Sequence, residues 1–117
     1  MKLIVAGGRW FNDYDLMKNT LDFFLKDTTE SIEIVSGKAS GADTLGERYA
    51  REKGYPVKEF YAQWGLYNKR AGFLRNKDMA EYATHCICFW DGESKGTQHM
   101  IELAKNNGLN LRVVRYL

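Results

Sequence analysis

Strand-like and helix-like segments alternate from one end of this chain to the other, which predicts an α/β fold: a doubly wound, mainly parallel five-stranded sheet with helices on both faces. Three observations carry that prediction. The apolar run Leu3 to Ala6 is continuous rather than alternating, as suits a strand buried on both sides. The segments between such runs carry apolar residues at three- and four-residue intervals, the spacing of one helical stripe. Glycine-bearing turns follow three of the strands.

The elements follow in order. Leu3 to Ala6 ends at Gly7 and Gly8 as the first strand. Asn12 or Asp13 caps a helix whose stripe is Leu16, Met17, Leu21, Phe24 and Leu25. Ile32 to Val35 is the second strand; residues 41 to 53 form a helix closed by Gly54 before Pro56, and Val57 to Phe60 is a short third strand. Ala71 to Ala83 is helical, Cys86 to Trp90 is a strand, Gly96 to Asn106 is a helix ended by Gly108, and Leu111 to Tyr116 is the last strand. The longest irregular stretch, Tyr61 to Arg70, carries three aromatic residues, and loops of that length are more often functional than idle.

Composition bounds the rest. The chain has 117 residues, 44% hydrophobic and 27% charged with one proline, which excludes a disordered or collagen-like chain and fits a single globular domain over 1–117. A domain of this length buries roughly 65% of its unfolded surface and needs no staple. Seventeen Lys and Arg against fifteen Asp and Glu leave a net charge of +2, short of a dedicated nucleic-acid binder. Cys86 and Cys88, two apart in one strand, cannot sensibly bridge each other and read as reduced, buried small hydrophobes, with no metal set around them. The apolar run of MKLIVAGGRW is too short for a signal segment or a membrane span, so the expected location is the cytoplasm and no membrane partner is expected.

In an open parallel sheet the ligand sits outside the carboxyl ends of the strands. Here those ends read Gly7-Gly8-Arg9-Trp10, Ser36-Gly37-Lys38-Ala39-Ser40-Gly41-Ala42-Asp43 and Asp91-Gly92-Glu93-Ser94-Lys95-Gly96-Thr97. Glycine lets the backbone approach a ligand closely, and helix N-termini favour anions. Three such turns, each with a basic side chain and two with Ser or Thr, favour a phosphate-bearing ligand. Neither GxGxxG nor GxxxxGK[ST] is present, and no cofactor is implied.

GGRWF, SGKASGADTLGERYA, FYAQWGLYNKRAGFLRN and FWDGESKGTQHM occur in that order and span nearly the whole chain. Together they resemble the SLOG superfamily, which joins DprA/Smf proteins to LOG-type phosphoribohydrolases, and most of all its YspA-like branch. The resemblance implies a Rossmann-like sheet holding a nucleotide or nucleotide-derived ligand, in proteins that act as nucleotide sensors, single-strand DNA binders or N-glycosidic hydrolases. It also places Arg75 and Asn76 at the pocket. Self-pairing to a homo-oligomer is common in the superfamily. This chain departs from the branch at Lys38, where a glycine is usual, and at Ser40, where a basic residue is usual. It departs from the hydrolase motif GGxGTxxE at Met100, in the glutamate position; Glu102 lies about 200° further round the helix.

The ligand-binding set expected from these readings is Gly7, Gly8, Arg9, Trp10, Ser36, Gly37, Lys38, Gly41, Asp43, Arg75, Asn76, Asp91, Gly92, Ser94, Gly96 and Thr97. Several members read two ways. Asp43 either accepts ribose hydroxyls or closes a capping box with Ser40. Glu47 acts as an acid or base, alone or with Asp43, in a hydrolase, or makes an ordinary pair with Arg51. Trp10, Trp64, Tyr67 and Phe73 divide between base stacking and the core. His85 and His99 lack evident partners and read as structural. Neither Arg9 nor Arg75 belongs to an apolar stripe, so both are expected to be dispensable to the fold. The leading function is nucleotide binding as a sensor or sequestering protein. An N-glycosidic hydrolase is the first alternative, and DprA-like single-strand DNA binding through Lys38, Lys69, Arg70, Arg75 and Lys77 is the second.

Overall fold

The computed structural model describes residues 1–116. Five strands, β1 (Lys2–Gly7), β2 (Glu33–Ser36), β3 (Val57–Glu59), β4 (His85–Trp90) and β5 (Asn110–Arg115), form one sheet in the order β3-β2-β1-β4-β5. Every neighbouring pair is parallel. Connecting them are α1 (Tyr14–Leu25), α2 (Ala42–Lys53), α4 (Ala71–Tyr82) and α5 (Lys95–Asn106). The stretch read as irregular contains a single-turn helix, α3 (Trp64–Tyr67), and a 3₁₀ turn at Asn68–Arg70.

Strand order explains the layers. The chain steps outward from β1 to β2 and β3, then returns past β1 to β4 and β5. Crossovers between parallel strands share one hand, so reversing the direction of travel puts the two pairs of helices on opposite faces. Alternate strand residues point to opposite faces. Leu3, Val5, Ile34, Ile87 and Phe89 accordingly pack against Met17, Leu21 and Tyr49, whereas Ile4, Ala6, Val35, Cys86 and Cys88 pack against Met79, Met100 and Ala104. Both cysteines are free and fully buried, their sulfurs 3.5 Å apart. The hydrogen bond between them and burial push the Cys86 thiol up, keeping it neutral.

Helix ends follow local chemistry. Asp13, not Asn12, caps α1, its carboxylate accepting from the Leu16 N–H at 3.0 Å. Gly54 ends α2 in the left-handed conformation. The helix read from residue 41 starts one residue later, because Gly41 has φ of 78° and stands outside it. Among the described residues no helix is long and apolar enough to cross a membrane.

Candidate functional site

Winding reverses between β1 and β4, so the loops leaving their carboxyl ends diverge and open a crevice. Its first lobe, about 480 Å³, lies over these two strand ends. Gly7, Gly8, Arg9, Trp10, Asp43, Arg75, Asn76, Asp91, Ser94, Gly96 and Thr97 line it, with Ala39, Ser40, Met79, Glu93, Met100 and Tyr116, which sequence reasoning did not assign to the site. A second lobe of about 590 Å³ runs toward residues 61–73 and takes in Gly37 and Lys38. Arg9, Ala39, Ser40, Arg75, Asn76 and Gly96 belong to both lobes and form their shared wall. Ser36, Gly41, Glu47 and Gly92 line neither lobe.

Backbone contacts hold the first turn against α2. The Gly8 N–H donates to the Phe89 carbonyl at 3.1 Å, and the Gly8 carbonyl accepts from Phe11 and Ala42, each at 3.2 Å. The first N–H of α2 is therefore used inside the protein rather than left for an anion. A side chain at Gly41 would overlie the carbonyls of Gly8 and Arg9, and this close approach is what Gly41 serves.

After β2, Ser36 is buried and its hydroxyl donates to Glu47 at 2.6 Å while accepting from the Lys38 N–H at 3.1 Å. The Lys38 ammonium meets Glu47 at 2.9 Å and Glu59 at 3.0 Å. Hydrogen bonds to these two carboxylates hold Lys38 well above the usual lysine range. The expected pairing of Glu47 with Arg51 is thus replaced: Glu47 turns toward the loop, where a buried hydroxyl and a cation satisfy it. Lys38 has φ of 59°, the left-handed region that favours glycine, which gives a physical reason for the glycine usual at this position. Lys38→Gly is expected to change stability by less than about 1 kcal/mol, since relief of φ offsets the lost, partly exposed ion pairs. Lys38→Val keeps the unfavourable φ with a branched side chain and is expected to cost about 2 kcal/mol, and urea unfolding of both variants checks the difference.

The capping box expected from Ser40 and Asp43 does not form. Gly41 occupies the cap position, and no side chain caps α2 there. Asp43, only 6% exposed, instead accepts from the Ala39 N–H at 3.3 Å. Burial pushes its pKa up to about 6, against the opposing pull of the Ala39 N–H and the Arg75 charge. Arg75 donates from Nη1 to the Gly37 carbonyl at 2.6 Å and from Nε to Asn76 Oδ1 at 3.0 Å. Buried Asn76 in turn lies 3.4 Å from both the Gly96 carbonyl and His99 Nδ1. Burial lowers the His99 pKa, so the ring is neutral at pH 7 and its Nδ1 can accept the Asn76 amide proton. Arg75 and Asn76 thus brace α4 between the β2 loop and the start of α5. The expectation that Arg75 is dispensable to the fold is corrected accordingly.

After β4, Asp91 Oδ1 accepts from the N–H groups of Glu93 and Ser94, both at 2.8 Å. These bonds, Ser94 first, hold Asp91 below the usual carboxylate range. Ser94 caps α5, and buried Thr97 lies beside it with the two hydroxyls 3.2 Å apart. Gly92 (φ 89°) lies behind this turn, against the Arg115 guanidinium. Of Trp10, Trp64, Tyr67 and Phe73, none enters the core; they are 86%, 57%, 46% and 52% exposed. Trp10 lies in the turn after β1, Trp64 and Tyr67 lie in α3, and Phe73 lies in the first turn of α4.

The chain's likenesses agree with this architecture. The family profile YAcAr, described as the YspA, cpYpsA-related SLOG family, matches residues 1–67. The Gene 61 protein of Mycobacterium phage D29 is 32% identical over 114 residues, covering 92% of this chain and 91% of the phage protein. The X-ray structure of DNA processing protein A (DprA) from Streptococcus pneumoniae superposes with a TM-score of 0.76 at 18% identity, covering 99% of this chain and 50% of that one. That last likeness is one of fold, and this chain spans half of the DprA chain. With a profile match over more than half its length and a relative 32% identical across 92% of it, this chain belongs to the YspA, cpYpsA-related SLOG family.

Proposed function

We propose that the chain works as a single domain that binds a nucleotide or nucleotide-derived phosphate ligand in the strand-end crevice, as a sensor or sequestering protein. One observation carries this reading above the others. The glycine turn after β1 and the first turn of α5 converge on one lobe, with exposed Arg9 free of any acidic partner among the described residues. Gly96, where nothing lies within 4 Å of an added Cβ, permits close approach, and the α5 N-terminus favours negative charge. Thr97 and the Ser94 cap add hydroxyls beside it.

Natively purified protein, denatured and examined by mass spectrometry, is expected to release a stoichiometric nucleotide-type molecule. Arg9→Ala is expected to weaken nucleotide binding about tenfold or more by calorimetry, because a charge-assisted contact is lost from an exposed position that supports no packing. Affinity unchanged by Arg9→Ala across a panel of nucleoside monophosphates would remove this site assignment.

One observation favours a second reading, the N-glycosidic hydrolase. Asp43 presents a buried carboxyl with a pKa of about 6 in the wall of the first lobe, suited to proton transfer near neutrality. Against it, Met100, where the hydrolase motif carries glutamate, lines that lobe with an apolar side chain, and Glu47 is committed to Ser36 and Lys38. Free base appearing above background on incubation with nucleoside monophosphates would reverse this order.

A further inference from the structure

We propose that the second lobe is a base-stacking subsite, so that the ligand carries two nucleosides joined through phosphates rather than one. This rests on the phosphate-binding reading of the first lobe and adds to it. Each lobe alone, at about 480 and 590 Å³, has the volume of a complete small-molecule site. The two adjoin, with Arg9, Arg75 and Gly96 in both linings, and the proposal carries an extended ligand across this common edge.

The lobes differ in chemistry. Asp43, Asp91 and Glu93 lie around the first, where carboxylates accept hydroxyl protons of a sugar. The second has Arg9, Lys69 and Arg75 and no carboxylate in its lining, while its Lys38 is already paired with Glu47 and Glu59. Its aromatic residues are Tyr61, Trp64 and Phe73, which are 63%, 57% and 52% exposed. Tyr61 and Trp64 have no ring partner among the described residues, and Phe73 meets only His99, perpendicular at 4.6 Å. Grouped in one lobe rather than scattered singly, such exposed rings form the kind of apolar patch that marks a binding surface. Gly72 places no side chain beside Trp64; a Cβ there would make ordinary contacts, 3.5 Å from the indole Cη2 and 3.8 Å from Arg75 Nη2. Aromatic faces beside guanidinium and ammonium groups match a planar base next to phosphate charge.

Calorimetry compares AMP, GMP, CMP and UMP with the four symmetrical dinucleoside 5′,5′-diphosphates, on the wild-type chain and on Trp64→Ala and Trp64→Phe. At least one dinucleoside diphosphate is expected to bind about tenfold tighter than its mononucleotide. Trp64→Ala is expected to abolish that advantage while mononucleotide affinity stays unchanged, and Trp64→Phe to retain most of it. Equal affinity for the paired and single forms, with mononucleotides still bound, overturns the second subsite and leaves the phosphate reading standing. No binding of any nucleotide to wild type overturns both. Affinity that climbs with length from two to eight residues of oligodeoxythymidylate assigns the rings to single-stranded DNA instead and overturns the two-nucleoside ligand.

Discussion

Gly41→Ala is expected to lower the unfolding free energy by about 3–5 kcal/mol, a large share of the roughly 5–15 kcal/mol typical of a domain. Gly41 adopts φ 78° and ψ −122°, and an added Cβ would lie 2.6 Å from the Arg9 carbonyl carbon as well as over two carbonyl oxygens. Those atoms are backbone and cannot rotate away. The Gly8 carbonyl is held by Phe11 and Ala42, so relief requires moving the β1 turn off the start of α2. Gly54→Ala provides the contrast: φ there is 76° with nothing within 4 Å of the added carbon, and about 1 kcal/mol is expected. Urea unfolding of the two variants separates close approach from backbone preference. Equal losses would show that contact between the two loops does not constrain Gly41.

Arg75→Ala is expected to destabilise the protein by about 2–3 kcal/mol at pH 7.5, and by visibly less at pH 5. Part of the loss comes from the bonds to the Gly37 carbonyl and Asn76 and does not depend on pH. The remainder comes from Asp43, whose buried carboxylate loses the nearby positive charge. Its folded pKa of about 6 lies above the ordinary 3.8, so the folded state holds more protons between those values. Stability contributed at this position therefore rises as pH falls through about 6 toward 4. Without Arg75 the folded pKa moves higher still, and acid relieves the variant more than the wild type. Melting curves from pH 5 to 7.5 test this, with Asp43→Asn as the control that should flatten the pH-dependent part. A stability loss identical across that range would exclude the electrostatic coupling of Asp43 to Arg75.

Much of the crevice was legible because its residues follow directly after strands. Gly7 to Trp10 and Asp91 to Thr97 are contiguous with β1 and β4, and the rule that ligands sit at carboxyl ends applies before any coordinates exist. Side-chain partnerships were less legible. Glu47 and Arg51 have perfect helical spacing, yet Glu47 turns to Ser36 and Lys38 because the β2 loop folds back over α2. The likeness of Ser40 and Asp43 to a capping box failed because the positive φ of Gly41 intervenes. Tyr116 reaches the first lobe, and His99 meets Asn76, from positions late in the chain, and nothing local in the sequence marks them for those roles.

The sequence by itself determined the alternation of strands and helices, the burial of the apolar runs, the glycine turns at the strand ends, and the family likeness in four ordered blocks. Each of these is set by neighbours along the chain, through periodicity, capping and glycine freedom. Only the tertiary structure decided the strand order β3-β2-β1-β4-β5 and hence the place where the crevice opens. It also decided that the aromatic residues at 61–73 stay outside the core and that Arg75 ties α4 to the loop after β2. Those outcomes depend on contacts between residues far apart in sequence, which are settled by packing rather than by local preference.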